Sequence, residues 1–238
     1  QSGGCYELDV DAASGQLRLQ PTKDAALEVQ TLRGAPMPVD VFTVDDASVL
    51  IVDDSGNRWR LPKGNQPRAA SAMGSYRVVR EVATERDLMH VHGTFYELPS
   101  ENAGGFRKLR PIASHQFFVH DFCSYRGLLV MSGVGAGAVA SEHIVRSQDG
   151  VAALWVGAID DLWSLPAPTG RGGPWSSTSV TAAVPSDPYL ATGYGRRHYQ
   201  FSHDQDHPVV FTLEADLCGD GRWIVVDRVQ VPVRGRSG

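Results

Sequence analysis

Trp59-Arg60-Leu61-Pro62 recurs in outline as Tyr96-Glu97-Leu98-Pro99 and as Trp163-Ser164-Leu165-Pro166, always an aromatic residue, any residue and then Leu-Pro. Each copy closes a run of alternating apolar and polar residues, which predicts a β-strand because successive side chains point to opposite faces. Proline then ends the strand because it has no N–H to donate. We therefore expect the three aromatic side chains to occupy equivalent core positions, with Leu61, Leu98 and Leu165 buried between sheets.

The spacing of this repeat predicts the fold class. The first two copies are separated by nearly the length of a four-stranded propeller blade, roughly 40 residues, and the longer second interval has room for a blade with an insertion. We expect an all-β protein in which residues 1–238 form a single propeller-like domain. It would contain about five blades, or an incomplete set of them, if the repeat holds along the chain. A β-sandwich is the alternative.

Residues 166–188 interrupt the strand pattern. Glycine and proline are so frequent in this segment that a regular strand or helix is not expected. Long loops in compact domains are often functional, and this one carries an aromatic side chain, Trp175. We expect the loop to be ordered and to form one wall of a binding pocket.

Composition excludes several classes of partner. The formal net charge of −5 and the absence of a basic stripe disfavour a nucleic-acid partner. The chain has no apolar run long enough for a transmembrane helix, so no membrane span is expected. Cys5, Cys123 and Cys218 lack the spacing of a zinc site. They are expected to be buried thiols, with a Cys5–Cys218 disulfide as the alternative in an exported protein.

Several phrases taken together resemble a group of poorly characterised, propeller-like bacterial proteins. They are HGTFYELP at 92–99, DFCSYRGLL at 121–129, DDLW at 160–163, GPW at 173–175, SDPYL at 186–190 and FSHD at 201–204. The resemblance covers roughly residues 85–230. It implies a propeller-like fold and an exported protein, secreted or periplasmic, but it brings no established activity.

Four residues are candidates for catalysis. His90 and His92 flank Val91 on a predicted strand, where both imidazoles would share a face, and His115 is a second candidate general base. Asp121 and Asp161 are the candidate carboxylates, since a glycosidase needs two that flank the sugar bond. The candidate catalytic set is therefore His92, His115, Asp121 and Asp161, and each also has a purely structural interpretation.

A second set is expected to bind substrate. A polysaccharide lyase needs a cation to neutralise a uronate and a Tyr or His to take its proton. An aromatic ring offers apolar area to the C–H face of a sugar. The candidates of these types are Tyr125, Arg126, Trp175, Asp187, Tyr189 and His203.

The expected partner is an oligosaccharide or a carbohydrate polymer. The leading hypothesis is a polysaccharide lyase or glycosidase acting at a propeller pocket, and the rival is a non-catalytic glycan- or protein-binding propeller. No metal-ligand residues are assigned, and the cofactor stays open, with a divalent cation as the one considered. An enzyme requires the histidines and a carboxylate or tyrosine to converge on one cavity, whereas a binding module needs only an exposed aromatic surface.

Overall fold

A computed structural model describes residues 5–22, 42–65, 79–83, 86–117, 119–135, 137–233 and 236–237. Short 3₁₀ helices cover Glu101–Ala103, Gly105–Lys108 and Ile159–Ser164. The strands are β1 (Tyr6–Val10), β2 (Leu17–Pro21), β3 (Phe42–Val44), β4 (Val49–Val52), β5 (Arg58–Leu61), β6 (Val79–Ala83), β7 (Arg86–Val91), β8 (Thr94–Leu98), β9 (Arg110–Ser114), β10 (Phe122–Tyr125), β11 (Leu128–Val134), β12 (Ile144–Arg146), β13 (Ala153–Gly157), β14 (Phe201–Ser202), β15 (Val209–Ala215), β16 (Ile224–Val231) and β17 (Arg236–Ser237).

Three antiparallel sheets follow one another along the chain. Their strand orders are β3-β4-β5, β6-β7-β8-β9 and β10-β11-β13-β12. The β1-β2 hairpin adjoins the third sheet, because Leu19 bridges Ser147 just beyond β12. The pairs β15-β16 and β14-β17 complete the described strands, and the sheets remain open. The predicted all-β class is confirmed.

Two-residue turns join paired strands in the second and third sheets. His92 and Gly93 connect β7 to β8 with φ of 54° and 83°, and Arg126 and Gly127 connect β10 to β11 with φ of 50° and 81°. Positive φ at both central positions gives a turn whose twist matches that of the flanking strands. Glycine, which adopts positive φ without strain, is the second residue of each turn.

The second sheet is buried on both faces. Leu88 and Phe95 pack toward the third sheet, in a cluster that includes Trp155, while Met89 and Tyr96 pack toward the first sheet. Neighbouring residues of β7 and β8 thus enter opposite cores, as the period of two requires. This explains why the 86–98 segment is apolar on both faces.

The third copy of the aromatic repeat does not form the predicted strand. Trp59 on β5 pairs with Ile51, and Tyr96 on β8 pairs with Met89, so both lie on the third strand of their sheets. Trp163 instead lies in a 3₁₀ helix and is 51% exposed. The prediction that it is a core residue is wrong. The aromatic residue on the third strand across the third sheet is Trp155, on β13, which is the fourth strand along the chain; Trp155 pairs with Met131 on β11.

The leucines of the repeat also differ from one another in burial. Leu61 is fully buried in the core between the first two sheets. Leu98 and Leu165 are only partly buried, at the margins of the two clusters. The expectation that the three leucines are buried between sheets is therefore confirmed for Leu61 and is wrong for Leu98 and Leu165.

The 166–188 loop lies across the edges of the first two sheets. Arg60 donates its backbone N–H to the carbonyl of Pro188 and accepts from Leu190, both at 2.8 Å, so the end of the loop continues the β5 edge. Lys63 and Arg171 exchange a second pair of backbone hydrogen bonds. Thr169 donates its N–H to Ser114 Oγ at 2.9 Å, which attaches the loop to β9 as well. The loop thus takes a defined path without a strand or helix of its own.

The three cysteines are free thiols, and the Cys5–Cys218 disulfide considered from the sequence is not formed. Cys218 is exposed, and Cys5 and Cys123 are partly buried, so the expectation of three buried thiols is wrong. Within the described ranges, no helix has the length and apolar character needed to cross a membrane.

Candidate functional site

Two buried imidazoles meet where β7 and β9 approach their ends. His90 Nε2 and His115 Nε2 are 3.0 Å apart, and the rings stack with centroids 4.9 Å apart. Phe95 and Phe117 pack on this pair. The partner of His115 is therefore His90, a residue that the sequence analysis considered only beside His92.

The hydrogen bonds fix the tautomers of the pair. The backbone N–H of Phe117 donates to His115 Nδ1 at 3.0 Å, so that nitrogen carries no proton. Neutral His115 must then be protonated at Nε2 and donate to His90 Nε2, which leaves the His90 proton on Nδ1. Burial lowers the pKa of His115 to about 4 and lowers that of His90 well below its usual value. Both imidazoles are neutral at physiological pH.

His92 lies beside this pair but faces elsewhere. It occupies the left-handed region in the β7–β8 turn, and its Nδ1 is 3.0 Å from the carbonyl oxygen of Gly64. His115 is nearby, since its backbone N–H donates to the Gly93 carbonyl at 2.9 Å. Burial lowers the pKa of His92. The structure thus brings His92 and His115 to one turn, with the two side chains bonded to different partners.

The candidate catalytic carboxylates have local structural contacts. Asp121 Oδ1 accepts the backbone N–H of Phe122 at 2.7 Å and lies 3.7 Å from Arg80. Asp161 Oδ2 accepts the N–H of Ala158 at 2.6 Å, at the start of the 3₁₀ helix. The Asp161 bond is the backbone contact that its structural interpretation predicted. β10 and β13 run parallel to each other on either side of β11. Asp121 precedes β10 and Asp161 follows β13, so the two residues lie at opposite ends of these strands.

Asp187 joins the loop to the first sheet through two arginines. Its Oδ1 lies 2.9 Å from Arg58 Nε, and its Oδ2 lies 3.0 Å from Arg60 Nε. Arg60 also contacts Asp45 and Ser48, each through Nη1. Hydrogen bonding from Arg58 lowers the pKa of Asp187 despite its partial burial. This geometry is that of a structural clamp.

Replacing Asp187 with alanine is expected to lower the free energy of unfolding by about 1–2 kcal/mol, because the largely buried Arg60 guanidinium loses one of its two carboxylate partners. Urea denaturation followed by circular dichroism measures this loss. Asp206→Ala is the matched control, since Asp206 is exposed and its partner among the described residues is the adjacent His207. Equal stability of the Asp187 and Asp206 variants would contradict the clamp.

The other predicted substrate-binding residues are dispersed. Arg126 is in the β10–β11 turn and lies 5.5 Å above the Tyr125 ring. His203 accepts the backbone N–H of Gln205 at Nδ1, so its Nε2 donates to the Val231 carbonyl at 3.0 Å. The Arg126 contact lies at the β10–β11 turn. The His203 contacts attach the segment before β15 to the end of β16. The structure does not bring Tyr125 or His203 to the His90–His115 pair.

Two of the aromatic residues that are predicted to contact substrate lie on the 166–190 segment. Tyr189 is partly buried, with a pKa raised by that burial, and its backbone bridges Arg60. Trp175 is 38% exposed in the part of the loop that reaches Ala47 through the Gly173 N–H. Trp175 thus keeps a free aromatic surface, whereas Tyr189 contributes to the attachment of the loop.

A shallow recess lies at the edge of the second sheet, against the Ile159–Ser164 helix, and we call it the Trp163 recess. It is lined by Asp87, Leu88, Glu97, Ile112, Ile159 and Trp163. Leu88 and Ile112 are buried and form an apolar floor, and the half-exposed indole stands beside it. The recess therefore presents an accessible indole ring beside an apolar floor.

Nothing in the sequence pattern assigns Asp87, Glu97 or Trp163 to a site. One local signal was available, because Asp160 and Asp161 precede Trp163 and acidic residues are common in the first turn of a helix. That signal indicates that Trp163 leaves the strand pattern. The approach of β7, β8 and the helix to one another is tertiary and has no local signature.

Comparisons of the chain with protein-family models, with curated proteins and with solved structures find no match. Among the described residues, no three His, Cys, Asp or Glu side chains form a group that could hold a metal ion.

Proposed function

We propose that this protein is a non-catalytic glycan-binding module whose binding surface is the Trp163 recess. The observation that carries the proposal is the half-exposed Trp163 beside an apolar floor formed by Leu88 and Ile112. An indole face packs on the C–H side of a pyranose, because the ring offers apolar area to it. A polysaccharide partner is compatible with the secreted or periplasmic location expected from the resemblance.

A rigid support makes the indole suitable for binding. The helix that carries Trp163 is anchored by Leu162, which is fully buried in the core between the second and third sheets. The Asp161 carboxylate also fixes the first turn of that helix. The ring is therefore held in place before a ligand arrives, which reduces the entropic cost of binding.

Binding without catalysis is favoured over the lyase and glycosidase hypotheses by the state of the candidate residues. His90 and His115 are neutral and buried against each other, with both contact nitrogens engaged in their mutual hydrogen bond. A general base must instead reach a substrate proton, directly or through one water molecule. Asp121 and Asp161 contact backbone groups at separate places in the fold.

We also propose that the three consecutive sheets are blades of a propeller-like architecture. The support is that Trp59, Tyr96 and Trp155 lie on the third strand across successive sheets that pack face to face. In the third sheet that strand, β13, is the fourth along the chain. In this arrangement the Trp163 recess lies at the margin between the second and third blades.

Trp163→Ala is expected to weaken glycan binding at least about tenfold, because loss of ring stacking removes on the order of 1.4 kcal/mol or more from the complex. Affinity electrophoresis across a polysaccharide panel, followed by calorimetry with oligosaccharides from the polymer that retards the protein, measures the effect.

Trp223→Ala is the matched control, since Trp223 is 49% exposed but lies next to β16, away from the recess. Trp175→Ala provides a third arm, because Trp175 is the other candidate ring for stacking. Failure of every glycan to retard the parent protein would contradict the proposed function. Loss of binding with Trp175→Ala, but not with Trp163→Ala, would move the site to the loop.

A further inference from the structure

We infer that residues 187–237 exchange between two copies of this chain, so that two molecules form a domain-swapped dimer. The exchanged part, which we call the C-terminal segment, contains β14 to β17. The inference concerns the assembly of the protein and does not depend on the proposed glycan binding. Its support is a segment with self-contained strand pairing, a specific docking surface and a strained, exposed connection.

The C-terminal segment pairs its strands internally. Within the described part of the chain, β14 pairs with β17 and β15 pairs with β16, and neither pair joins the three central sheets. The segment can therefore separate from the central sheets without unpairing its own strands. It is held to those sheets by docking contacts near its start.

The first set of docking contacts lies on the first sheet. The carboxylate of Asp187 accepts hydrogen bonds from the guanidinium groups of Arg58 and Arg60. The backbone of Arg60 bonds Pro188 and Leu190, each at 2.8 Å. Leu190 also packs against the core cluster between the first two sheets. The β5 edge thus receives an extended stretch with matched charge, backbone pairing and an apolar contact.

The second set of docking contacts lies on the second sheet. The hydroxyl oxygens of Tyr194 and Tyr96 are 3.4 Å apart, and both residues are buried. Gly193 lies so close to β9 that an added Cβ would be 2.6 Å from Pro111 Cγ. The surface is therefore shaped for this segment. Because every copy of the chain carries the same surface, the segment of a second molecule can make the same contacts.

An exposed connection precedes the C-terminal segment. Residues 175–185, which we call the hinge, are all exposed and form no strand or helix. The chain before the hinge stays on its own first sheet through the backbone pair between Lys63 and Arg171. A fully extended hinge spans on the order of 35 Å. That reach is sufficient to carry the segment onto a neighbouring copy.

The hinge is strained when the segment docks on its own molecule. Ser177 and Ala183 have φ of 49° and 61°. This left-handed region is unfavourable for residues that carry a Cβ. Extension of the hinge in the dimer releases this strain, whereas the docking contacts are the same in both forms. The hinge therefore favours exchange, as strained hinge loops do in general.

Refolding from urea at a series of protein concentrations, followed by gel filtration with light scattering, tests the exchange. The parent is expected to yield a dimer whose fraction rises with the refolding concentration. The dimer should persist on dilution, because reversal requires the segment to undock.

The double variant Ser177→Gly and Ala183→Gly removes the strain, since glycine adopts positive φ freely, and should lower the dimer fraction at least about fivefold. Ser179→Gly with Ala182→Gly is the matched control. It makes the same replacements in the same hinge, at residues whose φ is not positive. Equal dimer fractions in the two double variants, or a parent that stays monomeric at every concentration, would overturn the inference.

A charge exchange at the docking contact distinguishes swapping from ordinary association. Arg58→Glu and Asp187→Lys each place like charges together when the segment docks on its own molecule, and like charges repel. In a swapped heterodimer of the two variants, each segment meets a sheet of opposite charge at position 58. Refolding the two variants together is therefore expected to give more dimer than refolding either alone. No gain in the mixture would show that the segments do not exchange.

Discussion

Trp155→Ala is expected to destabilise the protein by about 3–5 kcal/mol, the range for removing a large aromatic side chain from a core. Trp155 is 2% exposed and belongs to the cluster between the second and third sheets. It pairs with Met131 across the sheet and stacks on His143 with centroids 4.8 Å apart. The surrounding strands are held by their ladders and cannot collapse into the space that the indole leaves.

Urea denaturation of the parent, Trp155→Ala and Trp163→Ala proteins measures this difference. Trp163→Ala is expected to change the free energy of unfolding by less than about 1 kcal/mol, because an exposed side chain leaves no cavity. Similar losses in the two variants would contradict the assignment of Trp155 as the repeat residue. They would also show that Trp163 acts as a core residue.

Stability is expected to fall as the pH decreases from about 6.5 toward 4, by about 3 kcal/mol for His115 alone. Burial lowers the folded-state pKa of His115 to about 4, whereas the unfolded chain takes up the proton near the ordinary value of 6.5. The unfolded state therefore binds more protons throughout this interval, and acid favours it. His90 contributes in the same direction, since burial lowers its pKa as well.

Chemical denaturation at a series of pH values gives the slope of stability against pH. His115→Phe should be less stable than the parent at pH 7, because the hydrogen bonds to Phe117 and His90 are lost, yet it should show a flatter profile between about pH 4 and 6.5. His207→Gln is the control, since His207 is exposed and its hydrogen bond in the described part of the chain is to the adjacent Asp206. An unchanged slope in His115→Phe would mean that the pair does not titrate in this way.

The class of the fold could be predicted from local patterns. Alternating apolar residues with glycine turns predict hairpins, and the structure has them at β7–β8 and β10–β11. The aromatic-x-Leu-Pro phrase correctly located Trp59 and Tyr96 on strands. These signals are local because a strand's alternation and a turn's positive φ are properties of neighbouring residues.

The third copy of the phrase shows where local patterns stop being sufficient. Trp163-Ser164-Leu165-Pro166 resembles the other two copies, yet the preceding acidic pair begins a 3₁₀ helix, and the strand position belongs to Trp155. Which of two nearby tryptophans enters the core depends on how β13 pairs with β11. That pairing is decided by burial against another sheet.

The candidate site was decided almost entirely by tertiary structure. Alternation places His90 and His92 on one face, but the left-handed turn at His92 directs its imidazole to Gly64. His90 then pairs with His115, which β9 brings from a separate part of the chain. The sequence by itself determined the hairpins, their turns and the all-β class, because short-range sterics and side-chain alternation govern them. Only the tertiary structure decided which imidazoles meet, which carboxylates become structural and which tryptophan stays exposed, because those outcomes depend on the packing of separate sheets.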